Sequence, residues 1–419
     1  MRLVLTTISL IFSILCFSQV TTFETALADS GKYEFKKQAR SQTPDYSVAY
    51  RILTNQVNQN PKSAELRYFL GCTIDKINGT SGEKMFQLKK KLTIKASEQF
   101  EEVNKLEPIY KGEKFISDPY SKLTLIWGSM AEAYLNRNLV DSARWAFLEG
   151  KERGGFIEPL LEFNRQLLNS CERNSILLTY GDLITIPIWY LQTIENFRND
   201  ITVVDLLLIN TSWYPGYLKD KKNLSLGLSS AQLDSIKNIQ WQSKIVEIVN
   251  ARDTSQKLSW ELRPTYKDSY IRKGDRILLD MLQQNFFTRP IYFSARSDTS
   301  LNLFLTKNLI DEGLVSRISN KPSKEDIVWV SKNLNSYNIR SIKAKDIRRS
   351  GDAIAILNGF RWTYYSNVHR LASRGNYDKA MKLIKQMRVR FSKKKLPFAS
   401  EEQEKYFTDL FKQVHKNNR

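Results

Sequence analysis

The hydrophobic pattern is clearest over residues 174–214, where it predicts a strand, a helix and a second strand. Residues 175–180 form a short apolar run that ends at a Gly-Asp pair. The apolar residues that follow are spaced as on one face of a helix: Ile186, Trp189, Tyr190 and Ile194. Residues 201–209 are almost continuously apolar and rich in β-branched side chains, as in strands covered on both faces. The segment therefore predicts a βαβ unit in a parallel sheet.

Later segments extend this prediction to a small domain over residues 172–345. Residues 270–285 have helical spacing and lead directly into residues 289–294, which predict a further strand. Two shorter runs, residues 244–249 and 314–318, also predict strands. Because strands alternate with helices, the pattern favours a three-layer α/β domain with a largely parallel sheet.

Helical periodicity dominates residues 46–154. Three segments share a small residue four positions before a large one, and a proline follows two of them: Ala49, Leu53 and Pro61; Ala96, Phe100 and Pro108; Ala143 and Phe147. This spacing resembles the tetratricopeptide repeat, a helical hairpin of about 34 residues. Residues 78–91 then form an insertion in the middle repeat. An irregular helical bundle is the alternative. Either reading gives a helical N-terminal domain, residues 19–171, with a surface for another chain.

Helical spacing returns from residue 346 to the end of the chain. It surrounds a turn at Gly375-Asn376-Tyr377 and closes with an amphipathic segment at residues 401–414. The predicted fold class is therefore α+α/β. A helical, tetratricopeptide-like N-terminal domain precedes the three-layer α/β domain, and helical hairpins form residues 346–419.

Residues 1–18 resemble a secretory signal. Arg2 gives a positive start, residues 3–17 are apolar, and Ser18 suits cleavage before Gln19, although a retained anchor is the alternative. No later run approaches the roughly 20 apolar residues that span a bilayer. We therefore expect the mature chain to be exported and periplasmic or envelope-associated.

The composition narrows the classes of partner and cofactor. Lys and Arg number 64 against 44 Asp and Glu, a formal charge of +20 that favours anionic partners, although dispersed basic faces would explain it equally. No nucleic-acid motif accompanies the charge, so no nucleic-acid partner is expected. Cys72 and Cys171 favour separate buried thiols over a bridge, and His369 and His415 are too isolated in sequence for a zinc site. No cofactor is predicted.

Four ordered motifs point to a family. GDLITIPIWYLQ at 181–192, LLINTSWY at 207–214, RPIYF at 289–293 and EGLVSRI at 312–318 resemble the extracytoplasmic region of bacterial polytopic membrane proteins similar to protein O-mannosyltransferases. The resemblance covers residues 172–410. In that family, glycosyl transfer is expected in a multi-pass membrane region that this sequence lacks. Leu183-Ile184 also replaces the family's usual Asn-Asp, which favours a structural or binding role.

The candidate ligand-binding residues each have a structural alternative. Asp182 follows the first predicted strand, where open α/β sheets bind ligands, but it could instead cap the helix. Aromatic side chains could form a sugar platform or belong to the core. Arg289 could bind an anion or form a structural salt bridge. The complete predicted set is Asp182, Thr185, Trp189, Asn210, Trp213, Tyr214 and Arg289.

Common enzyme signatures, such as GxSxG, HExxH and GxGxxG, are absent from the sequence, and no catalytic residue is predicted. The favoured hypothesis is a non-enzymatic scaffold that binds another envelope protein or peptide through its repeat-like helices. The alternative is a glycan-binding or accessory component of envelope protein glycosylation, which would contact a glycan or an anionic envelope surface. Exposed aromatic faces around Asp182 would favour the alternative.

Overall fold

The computed structural model describes residues 30–79, 82–294, 300–321 and 343–417, together with residues 334, 336 and 337. The predicted signal segment lies outside these residues. Helices at both ends of the chain flank a mixed α/β region, which confirms the predicted fold class. Within the described ranges, no helix is both long and apolar enough to cross a membrane.

The N-terminal helices pack side by side in chain order. They span residues 30–39 (α1), Ser47–Gln59 (α2), Ala64–Asn78 (α3), Lys90–Leu106 (α4), Pro119–Asn136 (α5), Val140–Glu152 (α6) and Glu158–Asn169 (α7), with a 3-10 turn at Gly82–Gln87. The most extensive contacts join α3 to α4 and α5 to α6. These are the helix pairs that the repeat spacing predicts as hairpins.

The small residues chosen from the sequence lie in the interior of the helical region. Ala49, Ala96 and Ala143 are buried, as are Phe100 and Phe147. An alanine methyl leaves room for a neighbouring helix that a longer side chain would displace. These positions are consistent with hairpin packing, and the assignment to the tetratricopeptide class stays a prediction.

The central sheet has five strands. In chain order they are Ile176–Thr179 (β1), Thr202–Asp205 (β2), Ile291–Ser294 (β7), Leu309–Asp311 (β8) and Val315–Ile318 (β9). Their order across the sheet is β2-β1-β7-β9-β8. The first three strands are parallel, and β9 is antiparallel to both β7 and β8. The largely parallel prediction therefore holds for the core of the sheet, and a hairpin forms one edge.

Two crossovers place helices on both faces of the sheet. Helix Asp182–Ile194 (α8) connects β1 to β2, and helix Lys273–Asn285 (α11) leads into β7. Because the two connections run in opposite directions along the sheet and such crossovers are right-handed, α8 and α11 lie on opposite faces. The strand order reverses between β1 and β7, so their carboxyl ends mark the topological switch point.

Smaller elements fill the segment between β2 and α11. They are helices Tyr214–Lys221 (α9) and Ser230–Ser235 (α10), a ribbon of Lys244–Asn250 (β4) with Asp253–Leu262 (β5), and a short pair of Ile239–Gln240 (β3) with Tyr270–Ile271 (β6). The strand predicted at 244–249 exists, but it pairs antiparallel with β5 outside the main sheet. The first five residues of β5 are exposed and polar, so its sequence lacked the apolar pattern of a buried strand.

One boundary in the βαβ unit is wrong, the end of the second strand, and the helix extends further toward its amino end than the apolar spacing indicates. Helix α8 begins at Asp182, so Thr185 lies inside the helix and Pro187 is an interior residue. Proline has no N–H to bond the carbonyl four residues earlier. That carbonyl, of Leu183, instead accepts a 3.4 Å hydrogen bond from the Asn164 amide of α7. Strand β2 ends at Asp205, because the Asp205 carboxylate binds the next backbone N–H groups and turns the chain.

The C-terminal helices return to the N-terminal region. They span Ala344–Arg349 (α12), Gly351–Leu357 (α13), Gly359–Ser373 (α14), Tyr377–Arg390 (α15) and Glu401–Asn417 (α16). The Asp118 carboxylate at the start of α5 accepts a 2.6 Å hydrogen bond from the Ser350 hydroxyl and a 3.0 Å bond from the Asp352 N–H. The buried apolar residues of all three regions form one continuous core.

Candidate functional site

The switch point between β1 and β7 is where this fold places ligands, and Asp182 lies there at the first position of α8. The residue is solvent-accessible, although protein atoms surround its carboxyl group on several sides. This desolvation and the negative charge of Asp205 raise the pKa of the Asp182 carboxyl to about 6, against the attraction of Lys122 and Lys76. A carboxyl group with such a pKa can exchange a proton near neutral pH.

Asp205, which the sequence analysis missed, is the polar centre of this edge. Its carboxylate is buried and accepts a 2.6 Å hydrogen bond from the Thr185 hydroxyl. The other oxygen accepts bonds from the N–H groups of Leu207 and Leu208 at 2.8 and 2.9 Å. Burial raises the pKa of the Asp205 carboxyl, and these hydrogen bonds oppose the rise. The signal in the sequence was an aspartate within an otherwise apolar run.

Thr185 and Tyr214 belong to the internal network of Asp205, so their prediction as ligand-facing residues is wrong. Thr185 is buried, and its hydroxyl also lies 2.8 Å from that of Thr179 on β1. The Tyr214 hydroxyl accepts a 3.0 Å hydrogen bond from the Asp205 N–H. Both side chains use their polar groups to join β1, β2, α8 and α9, and neither offers a group to a ligand.

Trp213 and Asn210 contact distant parts of the chain. The Trp213 indole donates a 2.8 Å hydrogen bond to the carbonyl of Gly82, and its ring packs edge-on against Phe86 with centroids 4.7 Å apart. The Asn210 side-chain oxygen accepts a 3.2 Å bond from Gly274. Trp213 thus attaches the segment between α3 and α4 to the α/β region. This structural contact accounts for a tryptophan at position 213 without a ligand.

Trp189 and Arg289 lie away from the switch point, so the seven predicted residues do not form one site. Trp189 is buried in the second half of α8, where it lines a cavity. Arg289 precedes β7 and therefore lies at the amino ends of the parallel strands, away from the switch point at their carboxyl ends. Its guanidinium donates to the carbonyls of Asn174 and Ser175 and to the Thr202 hydroxyl. Among the described residues, the partners of Arg289 are thus two carbonyls and a hydroxyl rather than a carboxylate.

Glu132, in the middle of α5, is a second carboxylate that sequence reasoning missed. It is completely buried, and neither oxygen accepts a well-formed hydrogen bond from the described residues. The Tyr217 hydroxyl and Lys222 ammonium nevertheless lie close enough to attract a negative charge. Burial outweighs that attraction and raises the pKa of Glu132 to about 7. A glutamate in the apolar stretch of α5 was the available signal.

The switch point therefore offers the accessible Asp182 carboxyl group and the partly exposed Tyr180, which directly follows β1. Trp189, Tyr190 and Tyr214 are core residues. In the part of the chain that the structure describes, no group of three or more His, Cys, Asp or Glu side chains could hold a metal ion. Cys72 and Cys171 are both buried and unbridged.

Comparison with known proteins identifies the central region. A family model described as TMEM260-associated domain 2 matches residues 161–235 and 235–337. The match begins inside α7 and covers the five-stranded sheet with its helices. No curated protein and no solved structure matches the chain. The α/β region at the centre of this chain is thus similar to the TMEM260-associated domain 2.

Proposed function

We propose that the protein is a non-enzymatic, exported scaffold that binds another envelope protein or peptide through its N-terminal helical region. The observation that supports this most directly is Ile116, in the loop at residues 107–118 between α4 and α5. Its side chain is 75% exposed, and its backbone φ is +70°. A β-branched residue with positive φ is a genuine outlier. Such strain clusters at sites of recognition, which makes this loop the favoured contact for a partner.

Ile116 is held outward by a buried tyrosine. The Ser117 N–H bonds the Phe115 carbonyl at 2.9 Å, which together with the positive φ defines the rarer and more strained form of γ-turn. The Tyr68 hydroxyl of α3 accepts a 2.9 Å bond from the Phe115 N–H and donates to the Ser117 carbonyl at 2.5 Å. Both neighbours of Ile116 are thereby fixed to the core, and the isoleucine faces solvent.

The surroundings of the loop suit a protein partner. An ion pair between Lys36 of α1 and Glu113 joins the loop to the first helix. Two more exposed apolar side chains belong to these segments, Tyr33 of α1 and Ile109 of the loop. We name Tyr33, Ile109 and Ile116 the Ile116 surface. Exposed apolar side chains on two segments joined by an ion pair favour a partner that presents a hydrophobic pocket.

An accessory role in envelope protein glycosylation is the second candidate. It is favoured by the similarity of residues 161–337 to the TMEM260-associated domain 2 and by the resemblance to O-mannosyltransferase-like membrane proteins. In this role the Ile116 surface would bind a component of the glycosylation apparatus or its protein substrate. Both candidates place the partner contact on the N-terminal helices.

Replacing Ile116 with glycine tests the proposal. Glycine adopts positive φ without strain, so we expect the free energy of unfolding to rise by about 1 kcal/mol. Loss of the exposed isoleucine should at the same time remove the main partner contact. Thermal melts measure stability, and retention of envelope proteins on the immobilised variant measures binding.

Val389→Ala is the matched control, because Val389 of α15 is an equally exposed apolar residue on another part of the surface. It should retain every partner that the parent protein retains. A photo-crosslinking side chain at position 116 should then give an adduct with the same partner. Undiminished retention by Ile116→Gly would contradict the proposal.

A second test concerns catalysis. We expect the purified protein to show no glycosyl transfer with lipid-linked or nucleotide-linked donors, because Leu183 and Ile184 beside Asp182 offer no group for proton transfer. Product formation is measured by mass spectrometry of acceptor peptides. Turnover that disappears in Asp182→Ala would show that the protein is an enzyme.

A further inference from the structure

A cavity of about 520 Å³ lies where the N-terminal helices meet the α/β region. Its walls are the junction of α5 with α6, the second half of α8, the start of β2 and the end of α9. Trp189 lines it from α8. This volume is within the range of about 300–1,000 Å³ typical of small-molecule sites, which occur preferentially at such interfaces.

The charge of the cavity wall is positive. Arg144, Lys221 and Lys222 line it, and none of the described residues in its wall is acidic. The Arg144 guanidinium donates a hydrogen bond to the Thr193 carbonyl, which fixes it at the cavity wall. Lys222 is the nearest to a counter-charge, since it attracts the buried Glu132 and lies 5.5 Å from the Tyr217 ring. Converging cations in a wall without acidic residues favour an anionic ligand.

Amide side chains supply neutral hydrogen-bonding groups in the same cavity. Gln192 is fixed by bonds from its amide nitrogen to the carbonyls of Arg198 and Ile201, at 3.1 and 2.9 Å. The amide of Asn199 donates to the side-chain oxygen of Asn196, which orients both groups. The Asn223 side chain is exposed at the end of α9.

Trp189 adds an aromatic edge to this polar wall. Its side chain is buried, so it forms part of the cavity wall rather than a projecting group. Oriented amides match hydroxyl groups, which both donate and accept hydrogen bonds. A simple inorganic anion would leave most of these groups unused.

We propose that this cavity binds a sugar that bears one anionic group, either a phosphorylated or a carboxylated monosaccharide. Lys221 and Arg144 hold the anionic group, while Asn199 and Asn223 contact the hydroxyl groups. Because Gln192 and Thr193 lie at the opposite end of α8 from Asp182, this site is separate from the switch point.

Isothermal titration of the purified protein tests the proposal with four probes: glucose 6-phosphate, glucuronic acid, glucose and inorganic phosphate. At least one of the two charged sugars should bind about tenfold more tightly than glucose and about tenfold more tightly than phosphate. Only a charged sugar contacts both the cations and the amide side chains of the cavity. Which charged sugar binds distinguishes a phosphate from a carboxylate ligand. Equal binding of phosphate and glucose 6-phosphate, with no binding of glucuronic acid, would overturn the sugar assignment.

Two variants locate the binding. Lys221→Gln removes an exposed cation and should weaken binding about tenfold. Asn223→Asp adds a negative charge to the cavity and should abolish binding. Asn223 has a φ of +50°, which aspartate also tolerates, so the backbone should not change. Lys95→Gln, an equal change of charge on an exposed position of α4 that does not line the cavity, is the control. Equal loss in the control and in Lys221→Gln would contradict the assignment.

This proposal does not depend on the Ile116 surface. The Ile116→Gly variant should bind the charged sugar as tightly as the parent protein, whether or not it has lost its protein partner.

Discussion

Replacing Phe147 with alanine should lower the free energy of unfolding by about 3–5 kcal/mol. The Phe147 ring is fully buried on α6, edge-on to Phe156 and to Tyr190 of α8, with centroids 5.6 and 5.8 Å away. It therefore fills the space between the helical hairpin and the α/β region. Alanine would leave a cavity that rigid helices on both sides cannot close. Chemical denaturation gives the change directly.

The adjacent residue provides the control for this prediction. Leu148 is 49% exposed on the same helix, and Leu148→Ala should cost less than about 1 kcal/mol. If both substitutions had the same small effect, Phe147 would not fill the contact between α6 and α8.

Replacing Glu132 with glutamine should stabilise the protein at pH 8 but have little effect at pH 5. The folded-state pKa of Glu132 is about 7, above the ordinary value of 4.5, so the folded protein binds more protons between these two values. Stability from the neutral carboxyl is present below pH 4.5 and is lost as the pH rises to 7. Across that interval the loss is about 3 kcal/mol.

The measurement is a series of denaturation curves between pH 5 and pH 8. The parent protein should lose stability over this range, and Glu132→Gln should remove part of the loss, because glutamine has no proton to release. Other carboxyl groups with raised pKa, including those of Asp182 and the buried Asp205, should maintain the remaining slope. Glu98→Gln, on the exposed face of α4, should leave the slope unchanged. If the free energy of unfolding of the parent protein did not change between pH 5 and pH 8, the charged form of Glu132 would have a compensating partner in the folded protein.

The sequence predicted the parts of the fold that follow local periodicity. Ile186, Trp189 and Tyr190 lie on the buried face of α8, as their spacing required. The end of β2 was missed because the apolar pattern continues past Asp205, while the chain follows the hydrogen bonds of that single carboxylate. Strand β5 was missed because half of it faces solvent.

The candidate site was harder to predict than the fold. Thr185 and Tyr214 have side chains that could bind a ligand, and only the long-range pairing of β1 with β2 shows that Asp205 uses both. Ile116 has no sequence signal at all, because its strain depends on Tyr68, which lies 48 positions earlier. Trp189 was predicted for a sugar site, but the sequence could not show the cavity that α6 and α9 form around it.

The contact between α5 and α8 constrains how this protein can change over generations. Gly128 faces Ile186 so closely that an added β-carbon would lie 2.1 Å from the isoleucine side chain. A side chain at position 128 would therefore displace α5 or α8, which belong to the N-terminal helices and to the α/β region. Recombination that exchanges one of these regions for a distant counterpart would have to keep this close contact.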